Sequence, residues 1–278
     1  MINAEDLNFI FWGTPDVAKD TLDILKQSGY LPSLIVTSPD KPKGRGLEMT
    51  ESPVAIFAQE NDIPCLKPET LNEEFIEKLK AEEFDLSIVV AYGKIMPEKI
   101  INAPKLGSIN IHYSLLPKYR GASPVESAIL NGDKETGVSI QQMEYKMDAG
   151  AVLATKVTEI SEDEQSPELR QRLIKTGGEL LIENLSNIID QKITPKPQDE
   201  NLATYCKKIK KEDGLLDLSL DGEINYNKYR AYAHWPRVFF FFGDKRVIVT
   251  QAHLEQGAFV IEKIIKEGGK ETDYKPNI

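Results

Sequence analysis

Cysteine and histidine are scarce in this sequence, with two cysteines and three histidines among 278 residues. Cys65 and Cys206 lie far apart and form no CxxC pair, which argues against a disulfide framework and against a structural zinc site. Three scattered histidines also disfavour a multi-histidine metal site. We therefore expect a protein that binds no metal and works in a reducing compartment, the cytoplasm.

Long apolar runs are absent as well, since no stretch approaches the roughly 20 residues that a membrane-spanning helix needs. The first residues include acidic Glu5 and Asp6 and lead directly into an apolar run, unlike the basic start of a secretory signal. We therefore expect a soluble chain with no membrane partner.

Positive charge is in deficit overall, because 34 Lys and Arg stand against 44 Asp and Glu and give a net charge of −10. That balance disfavours a nucleic-acid partner over the whole surface. Residues 207–278 differ, with 13 Lys and Arg against 11 Asp and Glu. A mildly basic tail favours a phosphate-bearing partner on one side only, although a chance distribution would give the same small excess.

The first two thirds of the chain alternate apolar runs with stretches whose apolar residues recur at helical spacing. The runs predict strands at residues 8–12, 34–37, 86–91, 108–112, 136–141 and 151–157. Helices are predicted at residues 15–28, 52–61, 71–81, 124–130 and 167–189, with Thr14 capping the first and a polar loop at 38–52. Alternation of this kind is typical of an α/β, Rossmann-like parallel sheet covered on both faces.

The composition changes at residues 193–206, where two prolines among polar residues predict an extended linker. Beyond it, residues 238–242, a Gly-Asp turn and residues 245–250 predict a β-hairpin, and residues 258–265 predict a further strand. The sequence therefore predicts an α/β domain at 1–192, a linker at 193–206 and a short β-rich domain at 207–278.

Asn110 and His112 lie two residues apart in a predicted strand, so their side chains project from the same face. They are near the carboxyl end of that strand, which is where open α/β sheets bind ligands. Both need polar partners in an otherwise apolar strand, and a structural pair would explain the pattern as well as a catalytic one.

The residues that follow favour catalysis. The run from Ser108 to Pro124, SINIHYSLLPKYRGASP, resembles the signature of the folate-dependent formyltransferases, and Asp148 in Met-Asp-Ala-Gly matches that family's third catalytic residue. The resemblance implies that Asn110, His112 and Asp148 are catalytic and that 10-formyltetrahydrofolate is the formyl donor, with no metal. It also implies a formyltransferase domain at 1–192 and a reduced OB-like domain at 207–278, because the middle strands of the full barrel are missing between residues 252 and 259.

These residue types suit formyl transfer. An amine that attacks the formyl carbon produces an oxyanion, to which the Asn110 amide and a His112 ring N–H can donate. Asp148 can orient His112 and help to move a proton from the amine to the leaving nitrogen, N10. The sequence leaves open which of His112 and Asp148 holds the proton at each stage, and a structural alternative for Asp148 is to cap its own turn.

The resemblance also assigns the folate contacts. It places Ser114, Leu115, Leu116 and Pro117 in the family's folate-site segment. It also places four residues in the loop that receives the pterin ring: Val90, Ala91, Tyr92 and Gly93.

Three features are similar to the family members that formylate methionyl-tRNA. They are residues 11–16 (FWGTPD), residues 37–46 (TSPDKPKGRG) and the tail, including residues 203–205 (ATY) and 234–236 (HWP). The resemblance implies initiator methionyl-tRNA as a partner, with Lys41, Lys43 and Arg45 binding it. Basic residues on a loop shaped by glycine and proline can approach phosphates or a base edge.

Two departures from the family pattern keep a rival acceptor open. Glu48 and Glu51 follow the basic loop, where typical members continue with basic residues, and the C-terminal domain is short. The rival is N-formylation of an amino-sugar nucleotide. Phosphoribosylglycinamide is less favoured because enzymes acting on it lack this tail, and a non-catalytic folate- or RNA-binding module conflicts with the intact Asn110, His112 and Asp148. The oligomeric state stays open, with a monomer favoured.

Overall fold

A computed structural model describes residues 7–43 and 48–275 of the chain. It divides into two compact units. The N-terminal unit comprises the described residues up to Arg120, with Gly137–Lys156 and Leu173–Ala203. The C-terminal unit comprises Gly121–Thr136, Val157–Arg172 and the described residues from Thr204 onward. The predicted boundaries at residues 192 and 206 stay a prediction.

A seven-stranded sheet forms the centre of the N-terminal unit. Its strands are β1 Phe9–Gly13, β2 Leu34–Val36, β5 Cys65–Leu66, β6 Leu86–Val90, β7 Ser108–His112, β9 Glu135–Gln142 and β10 Val152–Glu159. Their order is β10-β9-β7-β6-β1-β2-β5. The run from β7 to β5 is parallel, whereas β9 is antiparallel to β7. The predicted α/β, Rossmann-like class is therefore confirmed.

The central strands are apolar because helices cover both faces of the sheet. All five residues of β1 and all five of β6 are buried, as expected for parallel strands without a solvent face. The described helices of the whole chain are α1 Asp16–Gln27, α2 Pro53–Glu60, α3 Glu73–Lys80, α4 Glu98–Ile101, α5 Pro124–Leu130, α6 Ser166–Ile189 and α7 Gly222–Ala231, of which α5 and α7 belong to the C-terminal unit. None of the described helices has the length and apolar character that crossing a membrane requires.

The start of α1 differs from the prediction. Thr14 was expected to cap it, but Pro15 holds the cap position and no side chain bonds the first helical N–H groups. The Thr14 hydroxyl instead donates to the Tyr92 carbonyl, at 3.1 Å. That contact joins the residues after β1 to the residues after β6, so Thr14 helps to fix the edge of the sheet.

The predicted polar loop at residues 38–52 contains a short antiparallel pair, which corrects the prediction. β3 (Lys41–Lys43) pairs with β4 (Glu48–Thr50), and residues 44–47 between them lie outside the described residues. Each strand has only three residues, which is too short for the alternation of apolar and polar residues from which strands are predicted.

The C-terminal unit contains a four-stranded antiparallel sheet. Its strands are β12 Phe239–Phe242, β13 Lys245–Glu255, β14 Ala258–Lys266 and β15 Glu271–Asp273, in that order. The predicted hairpin is confirmed, because Phe242 pairs with Lys245 across a two-residue turn in which Gly243 has a φ of +57°. The polar strand β15 was not predicted.

The helical part of the C-terminal unit packs α7 against α5 and against β13 and β14. Buried Arg230 of α7 donates to the carbonyls of Ser161 and Glu164, at 3.2 and 3.1 Å. Short elements complete the chain: β8 Arg120–Gly121, β11 Tyr205–Cys206 and 3-10 turns at Glu200–Leu202 and Lys211–Gly214.

The packing of β6 gives a stability prediction. Ile88 in β6 has no exposed surface (0%), whereas Ile56 on α2 is 43% exposed. We expect Ile88→Ala to lower the free energy of unfolding by about 2–5 kcal/mol, because it leaves a cavity in the sheet core. The matched change Ile56→Ala should cost about 1 kcal/mol or less. Urea denaturation followed by circular dichroism measures both, and equal losses would contradict this assignment of the core.

Candidate active site

The candidate site lies at the carboxyl ends of β6 and β7. Val89 of β6 is opposite Asn110 of β7 in the parallel register. The residues after Val90 and the side chain of His112 therefore leave the sheet at one edge. His112 is buried, at 5% exposure, whereas Asn110 is partly exposed.

The imidazole of His112 lies between a backbone carbonyl and a carboxylate. Its Nε2 is 2.9 Å from the Tyr119 carbonyl oxygen, and its Nδ1 is 3.7 Å from Oδ1 of Asp148. Because a carbonyl only accepts, Nε2 carries the hydrogen, and in the neutral ring Nδ1 is the basic nitrogen. The pair formed by His112 and Asp148 can therefore take up one proton between Nδ1 and the carboxylate.

Asp148 adopts a left-handed backbone with a φ of +51°, which costs a non-glycine residue about 1–2 kcal/mol. Its turn presses against β9: a Cβ on Gly150 would lie 1.8 Å from the Gln142 carbonyl oxygen. The Ala149 N–H donates to the Lys146 carbonyl, and Oδ1 of Asp148 accepts from Nε2 of Gln141, at 3.0 Å.

The residues after β6 form a turn at the same edge as His112. Ala91 and Gly93 are exposed and have φ values of +48° and +80°, so the backbone turns sharply at this edge. Tyr92 points inward and packs edge-on against Trp12, with ring centroids 5.2 Å apart. Burial raises the pKa of Tyr92 to about 12, so its hydroxyl stays neutral.

The segment after β7 is held by hydroxyl groups. Ser139 of β9 donates to the Ser114 carbonyl at 2.8 Å and accepts from the Leu116 N–H at 3.1 Å. The Ser114 hydroxyl donates to the Lys118 carbonyl at 2.5 Å. Leu115, Leu116 and Pro117 are half-buried beside these contacts. The structure thus brings both predicted folate segments to the edge that carries His112.

Two of the three predicted basic residues, Lys41 and Lys43, lie in β3. Lys41 is exposed, the backbone of Lys43 ends β3, and Arg45 lies outside the described residues. Glu51, which follows the pair of β3 and β4, forms an ion pair: Nζ of Lys67 bonds Glu51 at 2.6 Å and Asp40 at 2.7 Å. Part of the acidic charge that follows the basic loop is therefore neutralised locally.

Sequence reasoning missed a polar network behind Asp148. Gln198 donates to the carbonyls of Asp148 and Gly150, and buried Arg120 donates to Gln198 and to Glu200. Gln198 and Glu200 belong to the segment predicted as a linker. Polar residues beside prolines give no pattern that separates a linker from a bonded strand, so the only available signal was the Arg-Gly element of the motif.

Comparisons with known proteins identify the family. The formyl transferase family matches residues 7–185, and the formyl transferase C-terminal domain matches residues 208–273. A methionyl-tRNA formyltransferase of Sulfurihydrogenibium sp. (strain YO3AOP1) is 42% identical over 250 residues, which cover 89% of this chain and 80% of that protein.

Solved structures share the fold at low identity. The N-formyltransferase from Helicobacter canadensis in complex with folinic acid and dTDP-3-aminofucose aligns with a TM-score of 0.67 and 17% identity, over 92% of this chain and 95% of that one. A methionyl-tRNA formyltransferase from Clostridium thermocellum aligns with a TM-score of 0.61 and 16% identity, over 96% and 100%. At such identities the likeness establishes the fold alone.

Glu200 gives a prediction of pH dependence. Hydrogen bonds from Arg120, then from Lys146, lower the pKa of this carboxyl from about 4.5 to about 2. A lowered folded-state pKa contributes stability that is present above pH 4.5 and is lost as the pH falls towards 2. We therefore expect the stability difference between the wild type and Glu200→Gln to be constant near neutral pH and to shrink in acid.

Urea denaturation between pH 7 and pH 3 measures this difference. Because the Glu200 side chain is 53% exposed, salt screens its ion pairs, and the difference should also shrink at about 1 M NaCl. A difference that grows as the pH falls would contradict the prediction.

Proposed function

Because the chain belongs to the formyl transferase family, we propose that it transfers the formyl group of 10-formyltetrahydrofolate to the amino group of methionyl-tRNA. The observation that carries the proposal is the 42% identity with a methionyl-tRNA formyltransferase over 89% of the chain. The amino-sugar rival has weaker support, since the Helicobacter canadensis enzyme is 17% identical and shares only the fold. Initiator methionyl-tRNA in the cytoplasm is the proposed acceptor, as part of translation initiation.

The proposed donor site fits the residues present. The exposed backbone groups around Ala91 and Gly93 can pair with the polar edge of a pterin, while Val90 and Tyr92 anchor the turn from inside. The segment from Ser114 to Pro117 would lie beside the donor at the same edge of the sheet. These residues bind and orient the folate, and its formyl-bearing nitrogen, N10, is the leaving group.

The transfer requires one bond to form, one to break and one proton to move. The amine nitrogen attacks the formyl carbon, the bond from that carbon to N10 breaks, and the amine proton reaches N10. The Asn110 amide donates to the developing oxyanion. His112 and Asp148 accept the proton and return it, with Nδ1 and the carboxylate as the two holding positions.

The contacts of the His112 ring favour proton transfer over donation to the oxyanion as its proposed role. Both of its ring nitrogens face protein atoms, Tyr119 and Asp148. Donation to the oxyanion would require the ring to turn away from one of them, whereas proton transfer with Asp148 requires a small approach. We therefore assign the oxyanion mainly to Asn110. Since one chain supplies Asn110, His112 and Asp148, a monomer is sufficient for the proposed reaction.

The acceptor is tested with purified protein, 10-formyltetrahydrofolate and charged initiator methionyl-tRNA. We expect transfer, and we expect Arg45→Ala to raise the KM for tRNA by about 5- to 10-fold, because one phosphate or base contact is lost. Lys26→Ala, which removes an exposed positive charge from the last turn of α1, is the control and should leave the KM unchanged. Transfer to an amino-sugar nucleotide but not to tRNA would replace the proposed acceptor.

The proton-transfer role is tested with Asp148→Asn. The amide keeps the shape of the side chain and can still accept from Gln141, so the fold should persist. We expect kcat to fall by about 10²- to 10⁴-fold, because a positioned acid-base group is lost. Asp62→Asn is a matched control, since exposed Asp62 has a similar left-handed backbone with a φ of +54°. A folded Asp148→Asn variant with normal turnover would remove Asp148 from the reaction.

A further inference from the structure

The amide of Gln198 is fully engaged and has a fixed direction. Its Oε1 accepts from Nε and Nη2 of Arg120, at 3.0 and 2.8 Å. Arginine only donates, so the oxygen of Gln198 must face it and the NH2 group must face the other way. That NH2 group donates to the Asp148 carbonyl at 2.9 Å and to the Gly150 carbonyl at 2.7 Å.

These two bonds add to the contacts that hold the turn, which include the bond from the Ala149 N–H to the Lys146 carbonyl. Asp148 has a left-handed backbone, a conformation that persists only where the surroundings over-determine it. Gln198 fixes the carbonyl of Asp148 and, two residues on, the carbonyl of Gly150. The carboxylate therefore projects from a backbone that is clamped on both sides of Ala149.

A second link reaches the carboxylate itself. Nε2 of Gln198 is 3.4 Å from Oε1 of Gln141, and Nε2 of Gln141 donates to Oδ1 of Asp148 at 3.0 Å. Gln141 itself is buried, at 2% exposure. Arg120 therefore fixes the orientation of the Gln198 amide, which in turn contacts the Gln141 amide. Gln141 bonds Oδ1 of Asp148, the oxygen that lies 3.7 Å from Nδ1 of His112.

The Glu200 end of this hydrogen-bond network is bonded to the same turn. Nη2 of fully buried Arg120 donates to Glu200 at 2.9 Å, and the other oxygen of Glu200 accepts from Nζ of Lys146 at 2.6 Å. Lys146 precedes Asp148 by two residues. The segment around Gln198 and Glu200 therefore bonds the turn at three points, which are the carbonyls of Asp148 and Gly150 and the ammonium group of Lys146.

We propose that Gln198 is a positioning residue for formyl transfer: with Arg120 as its anchor, it sets the place and direction of the Asp148 carboxylate toward His112. The inference rests on the proposed catalytic role of Asp148. Gln198 itself touches no reacting atom, and the segment that carries it is part of the catalytic apparatus.

The test is Gln198→Glu, which keeps the shape and the acceptor for Arg120 but replaces the donating NH2 group. We expect kcat to fall by about 10- to 100-fold, as for other residues that orient a catalytic group. The KM values for 10-formyltetrahydrofolate and methionyl-tRNA should change by less than about 3-fold, because substrate-contacting residues are unaltered. Gln171→Glu, the same exchange at an exposed position on α6, should have no effect.

A double-mutant cycle separates positioning from general stabilisation. In the Asp148→Asn background, Gln198→Glu should change kcat by less than about 3-fold, since no carboxylate remains to be positioned. An equal loss in both backgrounds would overturn the proposal. If Gln198→Glu does not fold, Gln141→Met cuts the link to the carboxylate, leaves the bonds from Arg120 to Gln198 intact, and is measured in the same cycle.

A readout without substrate keeps this inference distinct from the proposed function. The chain has three histidines, so the proton resonances of the His112 ring can be assigned with His112→Asn. Gln198→Glu should shift the His112 resonances and leave those of His234 and His253 in place. Unchanged His112 resonances would overturn the positioning role, whereas a wild-type protein that does not formylate methionyl-tRNA would overturn only the proposed acceptor.

Discussion

The parallel register between β6 and β7 is the constraint on which the site depends. It sets Val89 opposite Asn110, so that the turn after Val90 and the ring of His112 emerge side by side. Both strands are buried, and a slip of one residue would turn Asn110 and His112 toward the opposite face. The Trp12 indole, which donates to Ser87 of β6, ties this register to the neighbouring strand. Hydrophobic packing thus decides where the polar groups of the site can be.

Polar contacts then decide how those groups are directed. His112 has one nitrogen fixed by the Tyr119 carbonyl, and Asp148 approaches the other from a turn with unfavourable backbone geometry. Each amide in the network has one allowed direction, because arginine only donates and carbonyls only accept. The sheet supplies a rigid base, whereas the hydrogen-bond network supplies orientation, and the candidate chemistry needs both.

The sequence was sufficient for the parts that rest on local patterns. Apolar runs identified β1, β6 and β7, and the motif from Ser108 to Pro124 indicated the family. Features that depend on distant partners were not predictable: Thr14 bonds Tyr92 instead of capping α1, and Arg120 bonds Gln198 across 78 positions. Proline and polar residues at 193–206 look the same in a free linker and in a segment bonded to a turn. The pair of β3 and β4 escaped prediction because strands of three residues are too short to show a pattern.

The C-terminal unit is built from three separate stretches of the chain, which affects when it can fold during synthesis. The segments Gly121–Thr136 and Val157–Arg172 belong to that unit, although they precede its main part. Helix α5 packs against α7, and the carbonyls of Ser161 and Glu164 accept hydrogen bonds from Arg230. On the ribosome, these early segments stay without their partners until more than fifty further residues have emerged. The C-terminal unit can therefore complete its fold only after α7 and Arg230 have been synthesised, although its first segment begins at Gly121.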